Sequence, residues 1–440
     1  MSRAANRRVV ETLILTLPKE TPMSADAPAT VPVSNTPPLH DDRSLDTRAL
    51  YAAFAGLCAS LVAIGLARFA YTPLIPTLIQ AHWFSAADTV ALGAANFAGY
   101  LAGALLGRPL AARLSNRHAL RWLMVAATSA FFACAFPVSV GWFFVWRFLS
   151  GLSGGAIMVL VATAILPHIA PARRAFVSGM IFLGLGLGIA ASGTLVPELL
   201  KLGLRATWFG LGAVSLLLTA LTWAGWPATD APATAPAANG HHAADGALAA
   251  HRRALRVIYV QYAANALGLV PAMVLLVDYV ARGLGQGASV GARYWVLYGV
   301  AAIAGPLIGG WLGGRVGFRN GYRIAMVLQG LAVGLLALSH HTAALWTATI
   351  VLGAFTPGIV PMVLGRMQDL LPHDATAQRA AWSRATASFA LFQAVGGYGY
   401  AWLFSHTHEN YALIFTCGAV AMAVAFAADF TVRPGTRPAA

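Results

Sequence analysis

Residues 103–121 read GALLGRPLAARLSNRHALR, and residues 305–323 read GPLIGGWLGGRVGFRNGYR. Gly103, Gly107, Leu110, Arg113, Arg117 and Arg121 recur as Gly305, Gly309, Leu312, Arg315, Arg319 and Arg323, all displaced by one interval. Gly151 recurs as Gly353 at the same displacement. A constant displacement marks an internal repeat whose two copies run in the same direction. In each copy a basic connector joins two apolar segments, so the surrounding segments decide the fold.

Of the 440 residues, 58% are hydrophobic and 10% charged, and mean hydropathy is +0.67. Soluble domains carry roughly 25% charged residues, so water is not the solvent for most of this surface. At roughly 20 apolar residues per spanning helix, hydropathy predicts six spans near Leu50–Gln80, Thr89–Gly107, Leu120–Val138, Trp142–Leu166, Ala175–Val196 and Trp208–Trp226. Six more follow near Val257–Val280, Tyr294–Gly313, Tyr322–Leu338, Leu345–Leu364, Trp382–Phe404 and Tyr411–Phe430. Between the sets lies a polar Ala/Pro linker, too rich in breakers to span. The expected organisation is a disordered cytoplasmic tail (1–47), a six-helix bundle (48–226), a linker (227–256), a second six-helix bundle (257–432) and a short cytoplasmic tail (433–440). The fold class is all-α and integral to the membrane, with about twelve spans in two parallel pseudo-repeats. Such halves enclose a midplane site that opens alternately to either side.

The N-terminal stretch is polar, and its apolar patch Val9–Leu17 contains Glu11 with no small-residue cleavage site after it, unlike a cleavable signal peptide. Met23 offers an alternative start that would place residues 1–22 outside the native protein.

The formal net charge is +14, yet no long basic run with interleaved aromatics follows a nucleic-acid backbone, and no nucleic-acid partner is expected. The arginines fall in alternate connectors, after the second, fourth, eighth, tenth and last spans and in the linker. The opposite connectors hold only Lys201, Arg205, Arg282 and Arg293. By the positive-inside rule both termini and the linker are cytoplasmic. Cys58, Cys134 and Cys417 are isolated, which suggests neither a metal site nor a disulfide framework. No nucleophile with its base and no phosphate-cradling loop appears, so no cofactor and no enzymatic activity are expected.

Several motifs resemble those of the major facilitator superfamily. Gly107–His118 (GRPLAARLSNRH) and Gly309–Asn320 (GGWLGGRVGFRN) are similar to its cytoplasmic G-x-L-a-D-R-x-G-R-R signature. Ala112 and Gly314 stand where that signature has aspartate, so both copies lack the carboxylate of its charge-relay latch. The connector is expected to form a tight glycine turn, with Arg113, Arg117, Arg315 and Arg319 either gating the cytoplasmic side or only anchoring it. Trp146–Met158 (WRFLSGLSGGAIM) resembles the superfamily's fourth-span pattern with Arg147 as its arginine. A guanidinium this deep faces a pathway or fixes packing rather than lipid. Gly65–Pro76 (GLARFAYTPLIP), Ser192–Leu199, Leu276–Gly285 (LVDYVARGLG) and Gly353–Pro361 together resemble the YbfB/YjiJ-type branch, from about Leu50 to Phe430.

That resemblance implies a plasma-membrane transporter that works as a monomer and binds a small-molecule substrate. It also sets Arg68 in the first span across the cavity from Asp278 in the seventh. The pair fits a substrate charge partner, a proton-coupling carboxylate with its modulator, an outer gate, or a static ion pair. Pathway candidates are Arg68, Tyr71, Arg147, Gln261, Asn265, Asp278, Thr356 and Gln393, with Asp278 the candidate for proton coupling. Two arginines against one aspartate lean toward anionic substrates, with drug-like efflux as an alternative. A passive facilitator and a transporter-fold sensor without net flux are the competing functions.

Overall fold

The computed structural model describes residues 47–170, 173–228, 248, 251–372 and 374–431. The expected tails, apart from Thr47, and the middle of the linker lie outside the described residues, as does the alternative start at Met23.

Twelve long helices and no strand occur among the described residues. In the first half they are α1 (Thr47–Gln80), α2 (Ala86–Leu114), α3 (Asn116–Ala133), α4 (Val140–Ile165), α5 (Arg174–Leu200) and α6 (Leu204–Leu221). In the second they are α7 (Arg252–Asp278), α8 (Ala288–Val316), α9 (Phe318–Leu338), α10 (Thr342–Leu370), α11 (Ala375–His406) and α12 (Tyr411–Ala428). Ten are long and apolar enough to cross a membrane. The other two are α3, which carries Arg117 and Arg121 near its start, and α11, whose apolar stretch is interrupted by Gln393 and by the glycines and tyrosines of 396–400. We call the face bearing the α2–α3 and α8–α9 connectors the basic face and the other the far face.

The helices outrun the apolar segments that announce them. Helix α2 continues through Arg113 and α8 through Arg315. The turns therefore fall later than expected, at Ser115 (φ 66°) and Gly317 (φ 81°), equivalent positions in the repeat. The left-handed conformation there reverses the chain in one residue, and glycine adopts it without the steric cost that serine bears.

The motif glycines serve close packing instead. A Cβ at Gly103 would be driven into the Leu152 carbonyl, and one at Gly151 into that of Asn96, so α2 and α4 touch backbone to backbone. Gly305 lies likewise on the Ala354 carbonyl and Gly353 on that of Tyr298, which makes the α8–α10 crossing a copy of the first. In lipid, helices gain nothing from hiding apolar side chains from each other, so contact of this kind drives association.

The halves meet through α2 on α11, α5 on α8, and the far end of α1 on α7. On α5, Gly193 and Gly186 lie against Val296 and Ile303 of α8. One heptad further toward the basic face the same stripes reach Gly179 and Gly310, where an added Cβ would meet nothing within 4 Å. The halves are thus closed at the far face and diverge toward the basic face.

Gly103→Ala and Gly305→Ala should each lower the melting temperature of the purified protein, the overpacking costing about 1–3 kcal/mol. Gly310→Ala should leave it unchanged or raised; equal behaviour of all three would remove the crossings from the account.

Candidate substrate pathway

Helix α1 is irregular where the sequence interrupts its apolar run. It is π-helical over Leu61–Leu66 and breaks at Ala70. Such segments re-aim side chains and are frequent at functional sites. Pro73 has no N–H to offer the Phe69 carbonyl one turn earlier. Trp295 of α8 supplies the missing donor, its Nε1–H reaching the Phe69 carbonyl at 3.2 Å and Ser192 Oγ at 3.1 Å. Beside it Thr72 donates its hydroxyl to the Met273 carbonyl of α7 at 2.7 Å. These bonds fasten one half to the other at the far side of the midplane.

Immediately beneath lie two arginines. Arg68 is 9% exposed and Arg147 3%. Arg147 donates from Nη1 to the Ala67 carbonyl at 2.6 Å and from Nε to that of Leu92 at 3.5 Å, and its guanidinium lies 4.2 Å from the Tyr71 ring centre. Arg68 donates from Nε to Asn96 Oδ1 at 3.2 Å and rests on the rings of Tyr100 and Phe97, 4.1 and 5.2 Å from their centres. Asn96 bridges the two sites, its amide reaching Ser150 Oγ at 2.9 Å and the Arg147 carbonyl. Tyr71 is held by its hydroxyl on the Thr89 carbonyl. Among the described residues no carboxylate pairs with either arginine, and Arg68 Nη2 is buried without a partner.

Arg68, Tyr71 and Arg147 line one cavity of about 10 Å³ with Phe97 and Gly93, and Met273 and Val274 of α7 close its opposite wall. That is room for about one water molecule. One wall belongs to each half, so the cavity widens only if the halves part.

The other candidates lie elsewhere. Asp278 does not face Arg68. Fully buried at the far end of α7, it accepts two bonds from Arg282, at 2.6 and 2.7 Å, and one from Tyr411 at 2.6 Å. Arg282 also reaches Glu409, so this clip ties α7 to α12 within one half. Asn265 donates to Gln329 at 2.8 Å and Gln261 to the Ala425 carbonyl at 3.0 Å, both inside the second bundle. Thr356 meets Tyr298 at 2.5 Å, and Tyr298 stacks on Trp295. Gln393 backs the cavity wall, its amide 3.5 Å from Met273 Sδ.

At the basic face Arg319 serves a clamp within the second half. Asp429, just beyond α12 and with its side chain 1% exposed, pairs with Arg319 at 2.9 Å, Arg323 at 2.6 Å and Arg366 at 2.8 Å. Arg366 also donates to Gln261, which explains that glutamine's place. Burial pushes the Asp429 carboxyl up, but Arg366, Arg319 and Arg323 outweigh it and hold it below its ordinary value. Arg315 lies over Trp311 and Arg113 is exposed. Among the described residues Arg117 Nε is buried without a partner, and Arg121 donates to the Trp223 carbonyl at 2.7 Å. Asp429, Arg282 and Tyr411 were not singled out by the sequence, although Asp278 and Arg282 stand at the (i, i+4) spacing of helical ion pairs.

Asp429→Asn should destabilise the protein by about 3 kcal/mol, because three guanidiniums lose their shared anion. With the folded carboxyl depressed, the clamp is present above the unfolded value, near 3.8, and is lost as pH falls through the lower folded value. The melting-temperature gap between wild type and variant should therefore hold from neutral pH into mild acid and close only below that value. A gap that closes near neutrality would contradict the assignment.

Residues 60–430 match the family described as "Uncharacterised MFS-type transporter YbfB". No curated protein matches the chain at a significant level. Among solved structures, a D-xylose-proton symporter superposes with a TM-score of 0.61 at 15% identity, over 85% of this chain and 96% of that one. A bacterial homologue of the human lysosomal transporter Spinster, in an inward-facing and unoccupied conformation, gives 0.67 at 14% identity, over 88% and 96%. Identities this low establish the fold alone, while the match across nearly the whole helical body establishes the family: the chain is a multi-pass membrane protein belonging to the YbfB-type transporters of the major facilitator superfamily.

Proposed function

We propose that the protein is a secondary transporter that moves a small organic solute across the bacterial inner membrane by alternating access, acting as a monomer. The observation that carries this reading is the cavity between the halves, with two buried cations on one wall that no described carboxylate neutralises, a hydrogen-bonded closure on its far side and divergent helices on the other. A solute entering where the halves diverge would meet Arg68 and Arg147 at the end of its path, and these charges favour an anionic solute. Parting of the Trp295–Phe69 and Thr72–Met273 contacts, with approach of Gly179 and Gly310 at the other end, would pass it to the far side.

The positive-inside bias supports a cytoplasmic basic face and cytoplasmic termini. A cysteine at Arg113 should react with an impermeant thiol reagent only in inverted vesicles, and labelling of intact cells would reverse the orientation.

Proton coupling would run through Asp278, the one acid of the described spans that is fully buried. Protonation would weaken its hold on Arg282 and Tyr411 and free the end of α7 that bears the closure. The solute can be sought by comparing metabolites of deletion and overexpression cells, and its flux measured in proteoliposomes. Asp278→Asn should abolish accumulation driven by a proton gradient and spare counterflow. Undiminished uphill transport would take Asp278 out of coupling, and binding without any flux would replace transport by sensing.

A further inference from the structure

The two cavity arginines are not equivalent. Arg147 uses Nη1, Nε and its ring-facing surface on Ala67, Leu92 and Tyr71, and is thereby held in place. Arg68 uses only Nε for hydrogen bonding among the described residues, and its flat surface is taken by Tyr100 and Phe97. What remains of Arg68 is the edge of the guanidinium, with Nη2 buried and unpartnered. A buried donor without an acceptor forfeits its hydration, and here the donor carries charge. The edge of a guanidinium is also the geometry that a carboxylate engages best.

The rest of the cavity defines the body of such a ligand. Phe69, Phe97, Met273 and Val274 offer apolar surface. Gly93 keeps the space between them, since a Cβ there would lie 3.5 Å from Val274 and 3.7 Å from Tyr71, ordinary contact distances that fill the gap without a clash. We propose that the substrate is an organic monocarboxylate whose head group binds the edge of Arg68 and whose apolar body lies against Met273 and Val274. This rests on the transport reading and names the solute class for the same site. It also gives binding a mechanical consequence. The head is held by the first half, and the body presses on the segment of α7 whose Met273 carbonyl forms the closure.

The test is thermal-shift and calorimetric binding on the full-length protein in detergent. The probes are a panel of aromatic and branched aliphatic monocarboxylates, beginning with benzoate and 4-methylpentanoate, each beside its neutral primary amide. Carboxylates should bind at least about 10-fold more tightly than their amides, the weight of a charged hydrogen bond. Arg68→Gln should remove that preference, Arg68→Lys should keep part of it, and Gly93→Ala, which retains both arginines, should weaken the larger acids most. The proposal is overturned if no acid in the panel is preferred over its amide, or if folded Arg68→Gln, or Arg68→Lys should the first not fold, binds acids as wild type does and Gly93→Ala leaves their size ranking unchanged. Flux separates the two readings. Arg68-dependent acid binding without flux would sink transport and keep the site, whereas flux of neutral solutes indifferent to Arg68 would do the reverse.

Discussion

Two guanidinium groups lie inside apolar helices with no carboxylate among the described residues to neutralise either, and much of the first half is arranged to tolerate them. Taking a charge out of water costs several kcal/mol even after relaxation. Arg147 meets that cost with backbone carbonyls of α1 and α2 and the face of Tyr71. Arg68 meets it with two rings and Asn96. The glycine crossing belongs to the same arrangement. Gly151 lets α4 approach the backbone of Asn96, the residue whose side chain then spans both arginine sites. The irregular α1 contributes too, because it presents the Ala67 carbonyl to Arg147 and the proline-freed Phe69 carbonyl to Trp295.

The two halves share a backbone plan and differ in where they keep negative charge. The second half has a buried carboxylate near each face, Asp278 in a clip and Asp429 in a three-arginine clamp. In the first half, Pro227 stands at the position equivalent to Asp429, and Arg121 settles for a carbonyl and the Trp223 ring. Among the described residues, the missing motif aspartates at Ala112 and Gly314 are therefore compensated in one half only, by Asp429 just beyond α12. A second half braced at both faces and a first half that carries the unneutralised cations form an asymmetric machine.

The architecture was legible in the chain because lipid permits few solutions. Apolar runs of spanning length must be helices, the repeated interval relates the halves, and the alternating arginines order the faces. Within the site, Arg68, Tyr71 and Arg147 stood out as polar interruptions of apolar segments. The same signal marked Gln261 and Asn265, which turn instead into their own bundle, because polarity alone does not tell which neighbour a buried face meets. The Arg68–Asp278 juxtaposition failed for a related reason: the arginine four residues after Asp278 satisfies it locally. The expected glycine turn holds in the second connector, at Gly317, whereas the first reverses at Ser115, and Gly103 serves a helix crossing instead. Met273 and Gly93 carry no chemical signal and are visible only once α1 and α7 are brought together.

The central claim is that the halves rock about a closure that now lies at the far face. Pulsed electron paramagnetic resonance can read it directly, with one pair of spin labels at Ala81 and Gln286 on the far face and another at Arg113 and Gln368 on the basic face, all four exposed positions. The account predicts two populations in reconstituted protein, one with a short far-face and long basic-face distance and one reversed, with Trp295→Phe increasing the reversed population. A single distance for each pair that neither that substitution nor added carboxylates alter would contradict it.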